Sequence, residues 1–205
     1  MADLGPWDPL AHAEVQALFA GADFPWWIAG GWSLDLLVGR QTRAHADTDV
    51  TVLRPDLAQV RCHLAEWDIH VADPPGAGSL RPWPQRQALD EGLHDLWCRR
   101  REGEPWRLQL MVDDVEGEEW VYRRDRRLRR PIGTLAGRAS LPDLPALSPE
   151  LQLLYKSTSL RPKDQADFEG VLPLLTGVER AWLAGALELT APGHAWLPRL
   201  AGPAA

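Results

Sequence analysis

Two aspartates, Asp47 and Asp49, lie one residue apart at the start of the strand-like run 47–53 (DTDVTVL). Residues i and i+2 of a β-strand point to the same face, so the two carboxylates are expected side by side. Like charges at that separation repel each other and destabilise the strand. A divalent cation bound by both groups removes the repulsion, and hard oxygen ligands of this kind suit Mg²⁺. The pattern therefore predicts a metal site at Asp47 and Asp49.

A glycine pair precedes the aspartates. Gly30 and Gly31 separate the apolar run 26–29 from the helix-like segment 33–38. Glycine lets the backbone turn sharply and approach a ligand closely. The free N–H groups at the start of the following helix favour an anion such as a phosphate. Ser33 either donates to that phosphate or is simply a residue of the first helical turn. Together with the carboxylate pair, the glycine turn predicts a Mg²⁺–nucleotide site.

These residues resemble the nucleotidyltransferase superfamily that includes DNA polymerase β, whose signature is a Gly-Gly or Gly-Ser turn followed by an acidic-x-acidic strand. Segment 28–50 (IAGGWSLDLLVGRQTRAHADTDV) is similar in particular to the aminoglycoside 2''-adenylyltransferase-like family. The matching positions are Gly30, Gly31, Trp32, Asp35, Gly39, Arg40, Thr42, Arg43, His45, Asp47 and Asp49. The resemblance is dense at 26–54, 106–131 and 147–168. It implies the nucleotidyltransferase fold, which is a mixed central sheet flanked by helices.

The order of the elements predicts an α/β or α+β protein. Strands with interspersed helices come first and helices alone follow, which indicates a catalytic core at 1–145 and a helical C-terminal subdomain at 146–205. Predicted strands cover 26–29, 48–53, 68–71, 94–100, 106–112 and 118–123; predicted helices cover 11–20, 33–38, 55–66, 164–175 and 177–188, with a further helix from Pro149. Residues 73–92 are rich in Pro, Gly and Ser, so a long loop or an irregular hairpin arm is expected there.

The resemblance also implies a third carboxylate on a later strand, as a metal ligand or as the base for the acceptor hydroxyl. The strand 106–112 carries Gln109 where the aminoglycoside enzymes have an aspartate, and Gln cannot act as a base. Either Asp113 or Asp114 supplies the carboxylate from a shifted position, or the site works with two ligands only. We take Asp113 as the catalytic candidate; the alternative is that 113–119 is a solvated acidic turn.

The second half of the chain carries charged residues that are candidates for nucleotide contacts or for structural ion pairs. Lys156, on the helix that begins at Pro149, is a candidate triphosphate ligand, or else a surface amine. In the following segment, helix capping and ion pairs are the main interpretation for Asp164 and Asp167. The run 123–130 (RRDRRLRR) is the strongest basic patch. RNA binding is one interpretation, but the interrupting Asp125 and the acidic chain favour a solvated face.

The whole-chain charge restricts the partners. A net charge of −7 argues against a general nucleic-acid binder and suits a cationic acceptor. Cys62 and Cys98 lie far apart, which predicts reduced thiols and neither a disulfide nor a zinc site. No leader-like or membrane-spanning segment is indicated, so we expect a cytoplasmic protein. The oligomeric state does not follow from the sequence.

The resemblance implies a Mg²⁺-dependent nucleotidyltransferase. The expected reaction moves a nucleoside monophosphate, AMP from ATP, onto a hydroxyl of a small molecule such as an aminoglycoside. Two alternatives remain open. One is a toxin–antitoxin-type nucleotidyltransferase that acts on tRNA or protein, and the other is a catalytically weakened nucleotide-binding homologue, for which Gln109 is the main argument.

Overall fold

A computed structural model describes residues 4–139, 141 and 143–202. Its strands form one mixed sheet in the order β1-β2-β6-β5-β3-β4, with β7 beside β6 and β8 beside β7. The strands are β1 (Trp26–Ile28), β2 (Asp49–Leu53), β3 (Asp68–Ala72), β4 (Leu80–Pro82), β5 (Asp95–Arg99), β6 (Leu108–Glu116), β7 (Glu119–Val121) and β8 (Arg129–Pro131). Strands β2 and β6 run parallel, and the other neighbouring strands pair antiparallel.

Helices flank this sheet and fill the C-terminal part of the described chain. They are α1 (His12–Leu18), α2 (Gly30–Val38), α3 (Leu57–His63), α4 (Pro149–Lys156), α5 (Pro162–Val171), α6 (Gly177–Thr190) and α7 (Leu197–Leu200). None of the described helices combines the length and the apolar character that crossing a membrane requires.

The two faces of the sheet differ because side chains alternate along each strand. Val50, Val52, Leu110 and Val112 are fully buried and join the core formed with α1 and α3. Burying each such side chain contributes about 1.5–3 kcal/mol. The residues between them point to the opposite face, which is polar on β2, β6 and β5. The register pairs Asp49 with Gln109 and Asp95 with Met111, so these four side chains share that face.

A second apolar core fixes the C-terminal helices over the polar face. Leu34 of α2 packs in one cluster with Leu151 and Leu154 of α4 and with Phe168 of α5. Trp196 stacks on the Phe168 ring at a centroid distance of 4.1 Å, which anchors the end of the chain. Helices α4 and α5 thereby form a wall opposite the sheet, and a cleft lies between the two.

The predicted mixed sheet with flanking helices is confirmed. Of the two alternatives for residues 73–92, the hairpin arm agrees with β4, which pairs antiparallel with β3. The sequence interpretation did not include β8, at the end of the arginine run 123–130, or α7, in the segment after Pro192. Short edge strands lack an apolar alternation, so they are defined only by the strand they pair with. The division of the chain at residue 145 stays a prediction.

Candidate active site

The glycine turn and the aspartate strand are in direct contact. Gly30 is the first residue of α2 and has φ +64°, and a Cβ there would lie 2.0 Å from Oδ2 of Asp49. At Gly31 a Cβ would lie 2.3 Å from Cε1 of His45. The backbone N–H of Ala29 donates to the carbonyl of Asp49 over 2.9 Å. A side chain at either position would displace Asp49 or His45, so the two glycines allow the aspartate strand and the loop before it to pack directly on the start of the helix.

The first turn of α2 is held by side chains from two directions. The N–H of Gly30 donates to Oε1 of Gln152 over 2.7 Å, which ties the turn to α4. The Ser33 hydroxyl donates to the Gly30 carbonyl over 3.1 Å, and the side chain is 2% exposed. Gly30 and Gly31 line the cleft, and Ser33 does not belong to its lining. The nucleotide-binding role predicted for Ser33 stays a prediction.

Asp47 and Asp49 lie together in a cleft of about 290 Å³ between the sheet and the helical wall. Asp47 immediately precedes the short Thr48 link to β2, and Asp49 is the first residue of that strand. Burial in the cleft, followed by the charge of Asp47, raises the pKa of Asp49 to about 7. A divalent cation would relieve this repulsion.

The chemistry of this pair fits Mg²⁺. In nucleotide sites Mg²⁺ takes one or two carboxylates and completes its octahedron with substrate phosphates and water. Within the described ranges, no three or more His, Cys, Asp or Glu side chains come together as a metal-holding group. Asp47 and Asp49 are the residues that would hold the ion.

Cations line the cleft together with the aspartates, among them Lys156 at the end of α4, Arg161 just before α5, and Arg43 between α2 and β2. Lys156 is 7% exposed, and its Nζ lies 2.8 Å from Oδ2 of Asp167 and 3.6 Å from Oδ1 of Asp164. Arg43 forms a bidentate pair with Asp167, in which both hydrogen bonds are 3.0 Å long. Arg161 donates to Asp164 over 2.7 Å. Both aspartates thus serve in ion pairs, as their interpretation from sequence proposed. The network fixes Lys156 and two arginines at the edge of the cleft.

Asp95 is the site residue that the sequence interpretation missed. It is the first residue of β5, lines the cleft and accepts a hydrogen bond from Nε2 of Gln109 over 3.3 Å. After burial and Asp47, the charge of Asp95 is a further cause of the raised pKa of Asp49. The sequence offers one signal, an acid at the start of an apolar strand. Its proximity to Asp49 depends on the antiparallel register of β5 on β6, which the sequence does not specify.

The two acids at the end of β6 point to opposite faces. Asp113 lines the cleft but is 4% exposed, and it accepts hydrogen bonds from Nε1 of Trp120 (2.8 Å) and the hydroxyl of Tyr155 (2.6 Å). Burial raises the pKa of Asp113 to about 6. Asp114 pairs with Arg54 over 2.6 Å and does not belong to the cleft lining. The catalytic role predicted for Asp113 stays a prediction.

The segment that carries the glycine turn and the aspartates is similar in sequence to a known family. Residues 12–75 match the sequence model of the aminoglycoside-2''-adenylyltransferase family, a range that includes the glycine turn and both aspartates. No curated protein sequence matches the chain significantly.

Solved structures share the fold at low sequence identity. The lincosamide antibiotic adenylyltransferase LnuA bound to lincomycin has a TM-score of 0.53 and 19% identity, over 80% of this chain and 98% of that chain. The complex of ANT(2'')-Ia with adenylyl-2''-tobramycin has a TM-score of 0.55 and 17% identity, over 88% of this chain and 98% of that chain. The solution structure of ANT(2'')-Ia has a TM-score of 0.53 and 16% identity, over 86% of this chain and 89% of that chain. The chain therefore has the nucleotidyltransferase fold of these adenylyltransferases, and the family match confirms that residues 12–75 resemble the aminoglycoside-2''-adenylyltransferases.

Proposed function

We propose that this protein is a nucleotidyltransferase that moves a nucleoside monophosphate, AMP from ATP, onto a hydroxyl of a small molecule, with Mg²⁺ held by Asp47 and Asp49. One observation carries the proposal. A single cleft is lined by the glycine turn, by the aspartate pair, by Asp95, and by the cations Lys156, Arg161 and Lys163. The family match and the fold support the same reaction class. A cytoplasmic location, where ATP and Mg²⁺ are abundant, belongs to the proposal.

The cleft offers both backbone and cationic side chains to a triphosphate. Gly30 and Gly31 allow the backbone to approach the phosphates without a side chain in the way. Lys156, Arg161 and Lys163 line the same cleft and balance the charge of the pyrophosphate as it leaves. When bound, Mg²⁺ would neutralise charge on the triphosphate and on the oxygen that leaves with pyrophosphate.

Asp95 is the base in this proposal. Its carboxylate takes the proton of the acceptor hydroxyl, and the hydroxyl oxygen forms a bond to the α-phosphorus. The bond between the α-phosphorus and the bridging oxygen breaks, and pyrophosphate leaves with the electron pair. Gln109, which donates to Asp95, orients the carboxylate. A glutamine at this position is thus compatible with catalysis, which favours an active enzyme over the weakened homologue.

The acceptor is a small molecule in this proposal. The related structures are described with lincomycin and with adenylyl-2''-tobramycin, so lincomycin and tobramycin are the first compounds to assay. The tRNA- or protein-modifying alternative is tested in the same assay. Labelled ATP and Mg²⁺ are incubated with separate pools of small hydroxylated compounds, total tRNA and cell protein. Label in the tRNA or protein pool alone would select the alternative.

The metal and nucleotide part is tested with Asp47→Asn and Asp49→Asn. Calorimetric titration with α,β-methylene-ATP should show Mg²⁺-dependent binding in the parent and much weaker Mg²⁺-dependent binding in each variant, because each substitution removes one of the two carboxylates that would hold the ion. Transfer should fall by about 10³-fold. Asp114→Asn is the matched control, since Asp114 is outside the cleft. Unchanged Mg²⁺–nucleotide affinity in both cleft variants would refute the proposed site.

A further inference from the structure

The arginine run 123–130 divides into two groups in the structure. Four of its arginines have carboxylate partners: Arg126 and Arg129 with Glu116, Arg127 with Asp125, and Arg130 with Glu150. Arg123 and Arg124 form no ion pair with any residue the structure describes. These two are also the members of the run that line the cleft. The expected solvated face therefore describes only the later part of the run.

Tyr155 of α4 holds both arginines in place. The guanidinium carbons of Arg123 and Arg124 lie 5.5 Å and 5.7 Å from the centre of its ring, within cation–π range. Nη1 of Arg124 also donates to the Tyr122 hydroxyl (3.3 Å) and to the Tyr155 carbonyl (3.2 Å). The Tyr155 hydroxyl is in turn bound to Asp113. Each guanidinium has five N–H donors, so most of the donors of this pair are left for a ligand.

A second cavity of about 360 Å³ meets the cleft at these arginines. The two spaces share Asp95, Arg123 and Arg124. The second cavity is otherwise bounded by the segments around Pro75 and Gly92, and its lining includes neither the glycine turn nor Lys156. Asp95 and the two arginines thus stand at the junction between the nucleotide cleft and a space that extends away from the phosphate-binding residues.

The charges at this junction differ from those expected from the net charge. Asp47 and Asp49 are engaged by Mg²⁺ in the proposed function. The charge of Asp113 acts on Arg123, but this carboxylate is 4% exposed and enclosed by its two hydrogen bonds. The acid that is open to a ligand at the junction is therefore Asp95, beside two arginines. A polycationic acceptor would place its amines next to these guanidinium groups, and like charges repel. A planar guanidinium instead matches a carboxylate or phosphate with paired hydrogen bonds.

We infer that the second cavity is the acceptor site and that it takes a small hydroxylated anion, a hydroxy acid or a sugar phosphate, whose anionic group binds Arg123 and Arg124 while its hydroxyl reaches Asp95. This inference rests on the proposed function of the cleft. It replaces the cationic acceptor that the net charge suggested.

The first test compares acceptors that differ in charge. The full-length protein is incubated with Mg²⁺ and ATP labelled at the α-phosphate, and with glucose 6-phosphate, gluconate, glucose, glucosamine, tobramycin, lincomycin or total tRNA. Label is expected on anionic compounds, with kcat/KM at least tenfold above that of the matched neutral sugar. Label confined to the neutral, cationic or tRNA samples would overturn the inference while leaving nucleotidyl transfer itself intact.

The second test measures anion binding without turnover. Inorganic phosphate is titrated by calorimetry into the protein saturated with Mg²⁺ and α,β-methylene-ATP. The double variant Arg123→Gln/Arg124→Gln should bind phosphate at least tenfold more weakly, and Arg123→Lys/Arg124→Lys should retain part of the affinity. The matched control is Arg126→Gln/Arg129→Gln, which removes two exposed arginines that pair with Glu116 and should leave phosphate binding unchanged.

The outcomes separate the inference from the function on which it rests. Equal phosphate affinity in the parent and in Arg123→Gln/Arg124→Gln would overturn the acceptor assignment. A loss of α,β-methylene-ATP affinity in that variant would also overturn it, because the arginines would then serve the triphosphate. Failure of the proposed function has a different signature, which is Mg²⁺–nucleotide binding that is unaffected by Asp49→Asn.

Discussion

The two halves of the candidate site are built in different ways. In the half proposed to bind metal and phosphate, the glycine turn and the aspartate pair come from one continuous segment, residues 26–54, in which Gly30 touches Asp49 directly, and only the cations come from the C-terminal helices. The acceptor half is assembled from Asp95, Gln109, Arg123 and Arg124, which lie on β5, on β6 and after β7. Local spacing determines the first half, whereas strand register determines the second. If the halves also have separate functions, substitutions in one half should leave the property of the other unchanged.

The largest effect is expected at Asp95. Asp95→Asn keeps the size of the side chain and its place beside Gln109 but removes the base. Transfer should fall by about 10²–10⁴-fold in kcat, because general-base catalysis contributes that much. Mg²⁺–nucleotide affinity should stay within about twofold, since Asp47 and Asp49 are untouched. Steady-state kinetics and calorimetry together measure the two quantities.

Asp113→Asn is the comparison for that experiment, because both acids line the cleft. If Asp113 only positions Tyr155 and Trp120, its substitution should lower kcat far less than Asp95→Asn does. The reverse ranking would return the role of base to Asp113, as the sequence predicted.

The next effect concerns the contact between the glycine turn and the aspartate strand. Gly30→Ala places a methyl group where Oδ2 of Asp49 lies, so the carboxylate must move. A displacement of about 1 Å in a reacting group lowers turnover by about 10²-fold. Gly39→Ala is a matched control, because Gly39 also has positive φ (+78°) but has open space around its Cβ position. Equal loss of transfer in both variants would show that backbone strain, and not the Asp49 contact, is responsible.

A smaller effect is expected in the pH dependence of stability. The pKa of Asp113 is raised from an ordinary 3.8 to about 6, so the folded state holds its proton more tightly than the unfolded chain. The stability contributed by this proton is complete below about pH 4 and is lost as the pH rises through about 6. For this group the loss between pH 4 and pH 8 is roughly 2 kcal/mol of unfolding free energy.

Asp113→Asn cannot ionise, so this pH-dependent loss should disappear in the variant. Urea unfolding in EDTA at a series of pH values measures it, and Asp114→Asn is the control on the opposite face. An unchanged pH profile in Asp113→Asn would mean that Asp113 titrates normally despite its burial.

The smallest effect is expected at Ser33. Its hydroxyl donates within the first turn of α2, so Ser33→Ala should lower the unfolding free energy by about 1 kcal/mol. Nucleotide affinity should change by no more than about twofold, since a hydroxyl occupied in the turn contributes little to binding. Denaturant unfolding and nucleotide titration measure the two effects. A loss of affinity near tenfold would instead support the phosphate contact predicted from the sequence.

The sequence predicted the mixed sheet, its main strands and the helices of the second half, because apolar periodicity survives in each of them. It predicted Asp47, Asp49, Gly30, Gly31 and Lys156 as residues that the structure brings to one cleft. It did not single out Asp95, since an acid at the start of an apolar strand is a weak signal when its neighbours in the site are supplied by other strands. The bounds of β4 and the presence of β8 escaped for a related reason, as each strand is defined by its partner strand.

By itself, the sequence determined the glycine turn and the aspartate pair, which form the core of the proposed metal and phosphate site. A helix start and a strand start placed close along the chain can meet in few ways, so their residue spacing carries the geometry. Only the tertiary structure decided which acid faces the proposed acceptor site and which arginines of the run 123–130 stand beside it. Net charge sums over the whole molecule, whereas a ligand responds to the electrostatic field within one cleft. That field depends on which charged side chains the fold pairs with each other and which it leaves for a substrate.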